Sequence, residues 1–215
     1  MHRENLILTT LLLFLVTGLC APRPADAWGR KAHQAVARSA VQALPDELQP
    51  FFGTSRQFVA SRAEEPDNAR EHDPAERYRH YLDLELLPRE DWENLPAELD
   101  RAKAKYGEEK LQKAGYLPWR IAEMTDRLAD EMQAGKWDKV RETAAWLSHY
   151  VADAHMPLHC TLNYDGKATG NDGIHGRYEI YMVDAYVVTP FVEVEAAGEV
   201  EDVFRRAVGV CIESN

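Results

Sequence analysis

From Trp28 onward the apolar positions recur at intervals of three and four residues, the spacing that keeps side chains on one face of an α-helix. Residues 33–44 are rich in Ala and Val and read as a helix. Pro45, Asp46 and Glu47 then have the composition of a first helical turn, where proline is tolerated and the helix dipole favours acids. A short helix is predicted over 57–63, ended before Pro66, and residues 64–74 read as a polar loop with two prolines. Residues 75–85 follow as a further helical stretch with His80 at its middle, and 92–105 as a helix with a charged, solvated face. Ile121, Met124, Leu128 and Met132 keep helical register over 117–133, and Gly135 stops it. The longest helix is predicted over 137–156, broken by Pro157. Residues 160–173 read as a loop whose Asp172 caps a helix over 174–186. Strand-like alternation is confined to the FVEVE run at 191–195, read as the opening of a last helix. The pattern predicts an all-α, single-domain, multi-helix bundle.

The first 27 residues stand outside it. Residues 6–19 are an apolar run of signal-peptide length, too short to cross a bilayer comfortably, and Ala25-Asp26-Ala27 offers small residues where a signal peptidase reads them. Cleavage after Ala27 is expected, giving an exported chain, periplasmic or extracellular, that starts at Trp28 and forms one domain over 28–215. Lipidation at Cys20 is disfavoured because Leu19 precedes it where a small residue is needed. No other stretch reaches membrane-spanning length. Removing 1–27 takes away Arg3, Arg23, Glu4 and Asp26, so the net charge stays at -11. Such a chain has no general attraction for polyphosphates, and any phosphate affinity must come from a local cation. Cys160 and Cys211 fit either a single bridge or two buried thiols.

The 137–156 helix carries the chemistry. Val140, Ala144, Leu147, Val151 and Ala154 fall in one stripe, with His149 and Asp153 roughly opposite, flanked by Ala145, Trp146 and Ala152. The i, i+4 pair therefore sits on a face that is not an ordinary wet surface, and it needs either a cation or a hydrogen-bonded core partner. His159 follows ten residues after His149, and His175 and Glu179 form a second i, i+4 pair. Imidazoles with a few carboxylates suit zinc, whereas an all-oxygen set would suit calcium or magnesium.

Trp28 followed by His33, Asp67 thirteen residues before His80-Tyr81, the run His149-x3-Asp153-x5-His159 with its Pro-Leu-His ending, and His175-x3-Glu179 together carry a resemblance. The chain, from Trp28 to about Glu179, resembles the superfamily of bacterial zinc-dependent phospholipases C and fungal and plant single-strand-specific zinc nucleases. The resemblance implies a fold with three clustered zinc ions. Trp28, through its α-amino nitrogen and carbonyl oxygen, and His33 would hold one. Asp67, His80 and His149 would hold a second, and His159, His175 and Glu179 the third, with Asp153 bridging the first two; Asp73 is the competing carboxylate near Asp67. His72 and His155 match no motif position. By the same resemblance Asp153 and Asp67 are the catalytic acids, Asp153 beside the attacking water and Asp67 sharing proton transfer, while Tyr81, Asp83 and Asn171 are offered to substrate. The implied activity is a secreted zinc phosphodiesterase, a monomer, with single-stranded DNA or RNA the leading substrate and phospholipid head groups the alternative. A non-catalytic zinc-binding protein is the reading from another class. The stretch His80-Tyr81-Leu82-Asp83 resembles the nucleases. The short interval between Gly170-Asn171 and His175, and a glutamate at 179, are closer to the phospholipases. The family commonly continues with further helices beyond the point where this chain stops at Asn215.

Overall fold

The computed structural model describes residues 29–186 and 198–215. Trp28, the leader over 1–27 and the FVEVE run lie outside the described residues. Helices α1 (Arg30–Gln42) and α2 (Gln49–Arg62) pack on each other, and a short α3 (Glu65–Ala69) follows α2 at once. After a stretch of 3-10 turns come α4 (Leu99–Tyr106), α5 (Glu108–Ala114), α6 (Leu117–Gln133) and α7 (Trp137–Ala154). Helix α8 starts at Ile174–Gly176, widens to π geometry over Arg177–Val183 and returns over Asp184–Tyr186; α9 is Val203–Ser214. Among the described residues there is no strand, so the fold is all-α, and none of the helices is long and apolar enough to cross a membrane.

Helix α6 opens with Pro118 in its first turn and closes at Ala134, after which Gly135 adopts φ +65° and folds α7 back along it. Helix α7 then runs past two apolar clusters. One gathers Leu82, Leu84, Leu111, Leu117, Trp119 and Met124 under α9 residues Phe204 and Val208. The other joins Ala37, Val41, Phe52 and Val59 of α1 and α2 to Val140 and Ala145 of α7. The buried polar residues lie between these clusters, on the C-terminal half of α7 and the elements facing it.

The structure departs from the sequence pattern in several places. Residues 64–74 are not all loop: Pro66 near the N-terminus, with Glu65 and Asp67 in the first turn, starts α3. The helix predicted at 57–63 begins at Gln49 with Pro50 in its first turn, while Pro45 to Leu48 form a separate turn closed by Leu48 N–H to the Pro45 carbonyl at 2.9 Å. Residues 75–85 are two 3-10 turns, Glu76–Arg79 and Leu84–Leu86, around an extended segment. That segment is held from both sides. Leu82 N–H donates to His159 O (2.8 Å), Asp83 N–H to Ala114 O (2.7 Å), and Leu117 N–H to Tyr81 O (3.3 Å). The close approach needs Gly115, at φ +98°, where a Cβ would come within 2.1 Å of the Tyr81 oxygen.

The predicted 92–105 helix is broken into the 3-10 turn Arg89–Asn94 and α4, with Pro96 between them. Asp172 does not cap α8; Gly173 takes the cap position at φ +79°, with no side-chain cap bond. The apolar stripe of α7 is also less buried than its polar face. Val151 is 36% exposed, whereas His149 and Asp153 are fully buried, because α1, α2 and α3 close over them.

Candidate metal centre

Six segments deliver donors to one buried volume: His33 from α1, Asp67 from α3, His80 from the end of a 3-10 turn, His149 and Asp153 from α7, His159 from the turn Pro157–His159, and His175 and Glu179 from α8. His149 Nδ1 donates to the Ala63 carbonyl (2.7 Å), which leaves its Nε2 lone pair facing inward. That Nε2 lies 3.0 Å from His80 Nδ1, 3.2 Å from Asp153 Oδ2 and 3.6 Å from Asp67 Oδ1. His80 Nδ1 is itself 3.0 Å from Asp153 Oδ2 and 3.5 Å from Asp67 Oδ1. The other Asp153 oxygen turns to His33 Nε2 at 3.5 Å. His159 Nδ1 donates to the His80 carbonyl (2.6 Å), so its Nε2 faces His175 Nε2 and Glu179 Oε1, both at 3.3 Å; His175 Nε2 is 2.8 Å from Glu179 Oε2.

These residues form three donor sets able to hold a metal: His33, Asp67 and His149; His80, His149 and Asp153; and His159, His175 and Glu179. Bonds of about 2.0–2.2 Å in a tetrahedral zinc shell place neighbouring donors about 3.3–3.6 Å apart, close to most of the separations above. The unsatisfied atoms point the same way. Both ring nitrogens of His33, Asp153 Oδ1 and both Glu179 oxygens are buried without a hydrogen bond, so even the 2.8 Å approach of His175 to Glu179 is not aligned as one. Buried donors left in this state are costly unless a cation lies between them. The donor set fits zinc.

Electrostatics agree. Burial pushes the Asp153 carboxyl up, but the His149 and His159 rings outweigh it and hold it well below the usual range. Burial drives His33 well below the usual imidazole range, helped by His149. His159 is lowered by burial yet raised more by Asp153 and Glu179, to about 9. The carboxylates of the cluster draw positive charge, which Arg70 supplies at Asp67 and the histidines supply at Asp153.

Asp67, and not Asp73, reaches this volume. Burial raises the Asp67 carboxyl, and Arg70 Nη2 sits 2.9 Å from it. Asp73 is exposed, accepts Ala75 N–H (3.0 Å) and faces Arg79 at 3.5 Å. His72 and His155 are exposed and stand outside every donor set.

A cleft of about 440 Å³ opens beside His80, His159 and His175, walled by Arg70, Arg77, Tyr81, Asp83, Tyr164 and Asp165. Burial and neighbouring Glu85 raise the Asp83 carboxyl, against the pull of His159, to about 7. Asn171 stands apart from the cleft wall; it is exposed, and its Nδ2 donates to Thr169.

Three neighbours of the site are absent from the sequence reading. Arg70 had a readable signal, three residues after Asp67 on one helical face. Glu76, four residues before His80 and 3.6 Å from its Nε2, carried an i, i+4 signal as well; Tyr164, its ring 5.8 Å from that of His175, had none, because tertiary contacts alone bring it there. Cys160 and Cys211 are buried thiols in the larger apolar cluster.

A family model described as S1/P1 nuclease matches residues 28–178, while no curated protein and no solved structure matches the chain. That span contains every donor of the first two sets and two of the three in the last. It covers more than two-thirds of the 215 residues, and the chain belongs to the S1/P1 nuclease family.

Proposed function

We propose that the chain is an exported zinc-dependent phosphodiesterase that cleaves single-stranded nucleic acid. The observation that carries this is the adjacency of the donor sets to a cleft walled by an aromatic ring and a carboxyl, Tyr81 and Asp83, with Arg70 and Arg77 beside them. A flat ring stacks on any base, and a carboxyl reads the hydrogen-bonding edge of one. The two arginines offer local positive charge to a polyanion that the net charge of -11 would otherwise repel.

His33 with the Trp28 amine and carbonyl would hold one zinc, Asp67, His80 and His149 a second, and His159, His175 and Glu179 a third. Bound zinc would supply an acidified water and positive charge for the phosphoryl and leaving oxygens. Asp153, with one oxygen toward His33 and the other toward His80 and His149, joins the first two sets and orients the water. Asp67, paired with the cleft residue Arg70, takes the proton. Tyr81 and Asp83 position the nucleotide next to the scissile phosphate.

A phospholipase C activity is the second reading, favoured by the glutamate at 179 and the short interval before His175. Purified protein incubated with single-stranded oligonucleotides and with phosphatidylcholine vesicles, each with and without chelator, separates the two. Chelator-sensitive release of 5′-nucleotides is the expected result. Phosphocholine release without nucleotide release reverses the assignment, and stoichiometric zinc with neither product makes the site a non-catalytic store.

A further inference from the structure

Glu76 belongs to none of the donor sets, yet it is 1% exposed and surrounded by charge. The Tyr150 hydroxyl and Arg79 Nη1 donate to its carboxylate, and Arg120 Nη2 lies 3.9 Å away. Arg120 is also buried and bonds Tyr150 Oη at 3.3 Å and Glu123 at 3.0 Å. An apolar core of similar volume would be about as stable as such a buried ionic group, so stability alone is a weak reason for its presence.

Its position suggests another reason. Glu76 Oε1 sits 3.6 Å from His80 Nε2, and that nitrogen has no hydrogen-bond partner. The opposite nitrogen, Nδ1, faces Asp67, His149 and Asp153. His149 and His159 each hold their outward nitrogen on a backbone carbonyl, of Ala63 and of His80. His80 has a carboxylate instead. A carboxylate behind a ligating imidazole fixes its tautomer and raises its basicity more than a carbonyl does.

We propose that Glu76 is a positioning residue of the metal centre: it holds the Nε2 proton of His80, so that Nδ1 faces the metal volume as a lone pair. The His80 backbone carbonyl, which receives His159 Nδ1, does not depend on the Glu76 contact, so the neighbouring set is unaffected by it. Tyr150, Arg79 and Arg120 hold the Glu76 carboxylate in place.

The inference rests on the zinc reading above, and its test reads metal and tautomer, not activity. Imidazole nitrogen-15 NMR of zinc-loaded wild type is expected to show His80 protonated at Nε2 and metal-bound at Nδ1. A metal-bound Nε2 with a protonated Nδ1 overturns the inference whatever any variant does. In Glu76→Gln, competition with a chelator is expected to show one zinc bound about 10–100-fold more weakly than in wild type, with the others near wild type. Glu123→Gln, which removes the exposed partner of Arg120, should leave all zinc affinities unchanged. Zinc affinities in Glu76→Gln all within twofold of wild type overturn the inference too. If Glu76→Gln does not fold, the wild-type spectrum decides. Absence of zinc uptake by the wild type removes both readings; zinc uptake without hydrolysis removes only the enzymatic one.

Discussion

The two sides of α7 differ in what completes them. On the α6 and α9 side, Leu111, Leu117, Ile121, Met124 and Phe204 are buried against one another, and the indole N–H groups of Trp92 and Trp119 reach the carbonyls of Leu87 and Pro96 at 3.1 and 3.0 Å. The apolar groups of that side need no ligand to complete them. On the other side the same helix buries His149 and Asp153 against His33, Asp67 and His80, with Glu179 of α8 reaching the site through His159, and several of these polar atoms have no hydrogen bond. Apolar burial stabilises the first side by itself. The second has donor sets that could hold metal ions and would be completed by them, so any metal dependence should be local to it.

The largest expected effect follows from that locality. Stripping zinc with a chelator should abolish phosphodiesterase activity and sharply reduce hydrogen-exchange protection in α1, α3 and α8, while α6 and α9 stay protected. Equal loss of protection everywhere would show that the two sides unfold as one unit. Next, Asp153→Asn and Asp67→Asn should each lower the rate at least about 100-fold with circular dichroism close to wild type. An amide keeps the volume but is a poor ligand for dications. Near-wild-type rates in either variant would mean the carboxylates do not belong to the reacting centre.

A milder break concerns the chain just before the described residues. Gly29 N–H donates to the Glu179 carbonyl at 3.4 Å, which ties the start of α1 to the third donor set. A free α-amine and carbonyl at Trp28 can chelate a zinc in a five-membered ring, whereas an internal amide nitrogen has no lone pair to offer. A protein starting Met-Trp28 should therefore bind one zinc fewer than one starting at Trp28, by elemental analysis. Equal zinc in both would remove the amino-terminal ligand.

The converse substitution probes the apolar side. Leu117→Ala, in a fully buried position, should cost about 2–5 kcal/mol of unfolding free energy yet leave zinc stoichiometry unchanged. Loss of zinc together with stability would show that the extended segment 80–83, held in part by Leu117 N–H, transmits packing to the ligands.

What the sequence reveals about these two sides is unequal for a physical reason. His149 with Asp153, and His175 with Glu179, are legible because a helix turns i, i+4 spacing into proximity. The same periodicity correctly marks α6 and nearly all of α7. It fails between Glu64 and Asp83, where the geometry comes from long-range contacts: His149 Nδ1 on Ala63, Leu82 N–H on His159 and Gly115 against Tyr81. None of these leaves a local pattern. The inverted burial of α7 has the same origin. Amphipathicity assigns Val151 to the core, yet the ligand face is the enclosed one, which a hydropathy pattern cannot express when the buried groups are themselves ionisable.

The smallest expected effect sharpens the comparison at its edge. Asp73 and Asp67 lie six residues apart in one acidic stretch and are chemically identical, so only burial distinguishes them. Asp73 has an exposed carboxylate that accepts Ala75 N–H and faces Arg79 at 3.5 Å, while Arg79 retains its closer partner Glu76. The side-chain amide oxygen introduced by Asp73→Asn can still accept Ala75 N–H, and a partly exposed ion pair contributes little in water. Asp73→Asn should thus change stability by no more than about 0.5 kcal/mol, with zinc affinity and rate within twofold of wild type. Chemical denaturation, chelator competition and an oligonucleotide assay on the same preparation check all three. A clear fall in zinc affinity would mean that charge at the surface is felt at His80 through Arg79 and Glu76. The boundary between the solvated loop and the metal side would then lie at Asp73 itself.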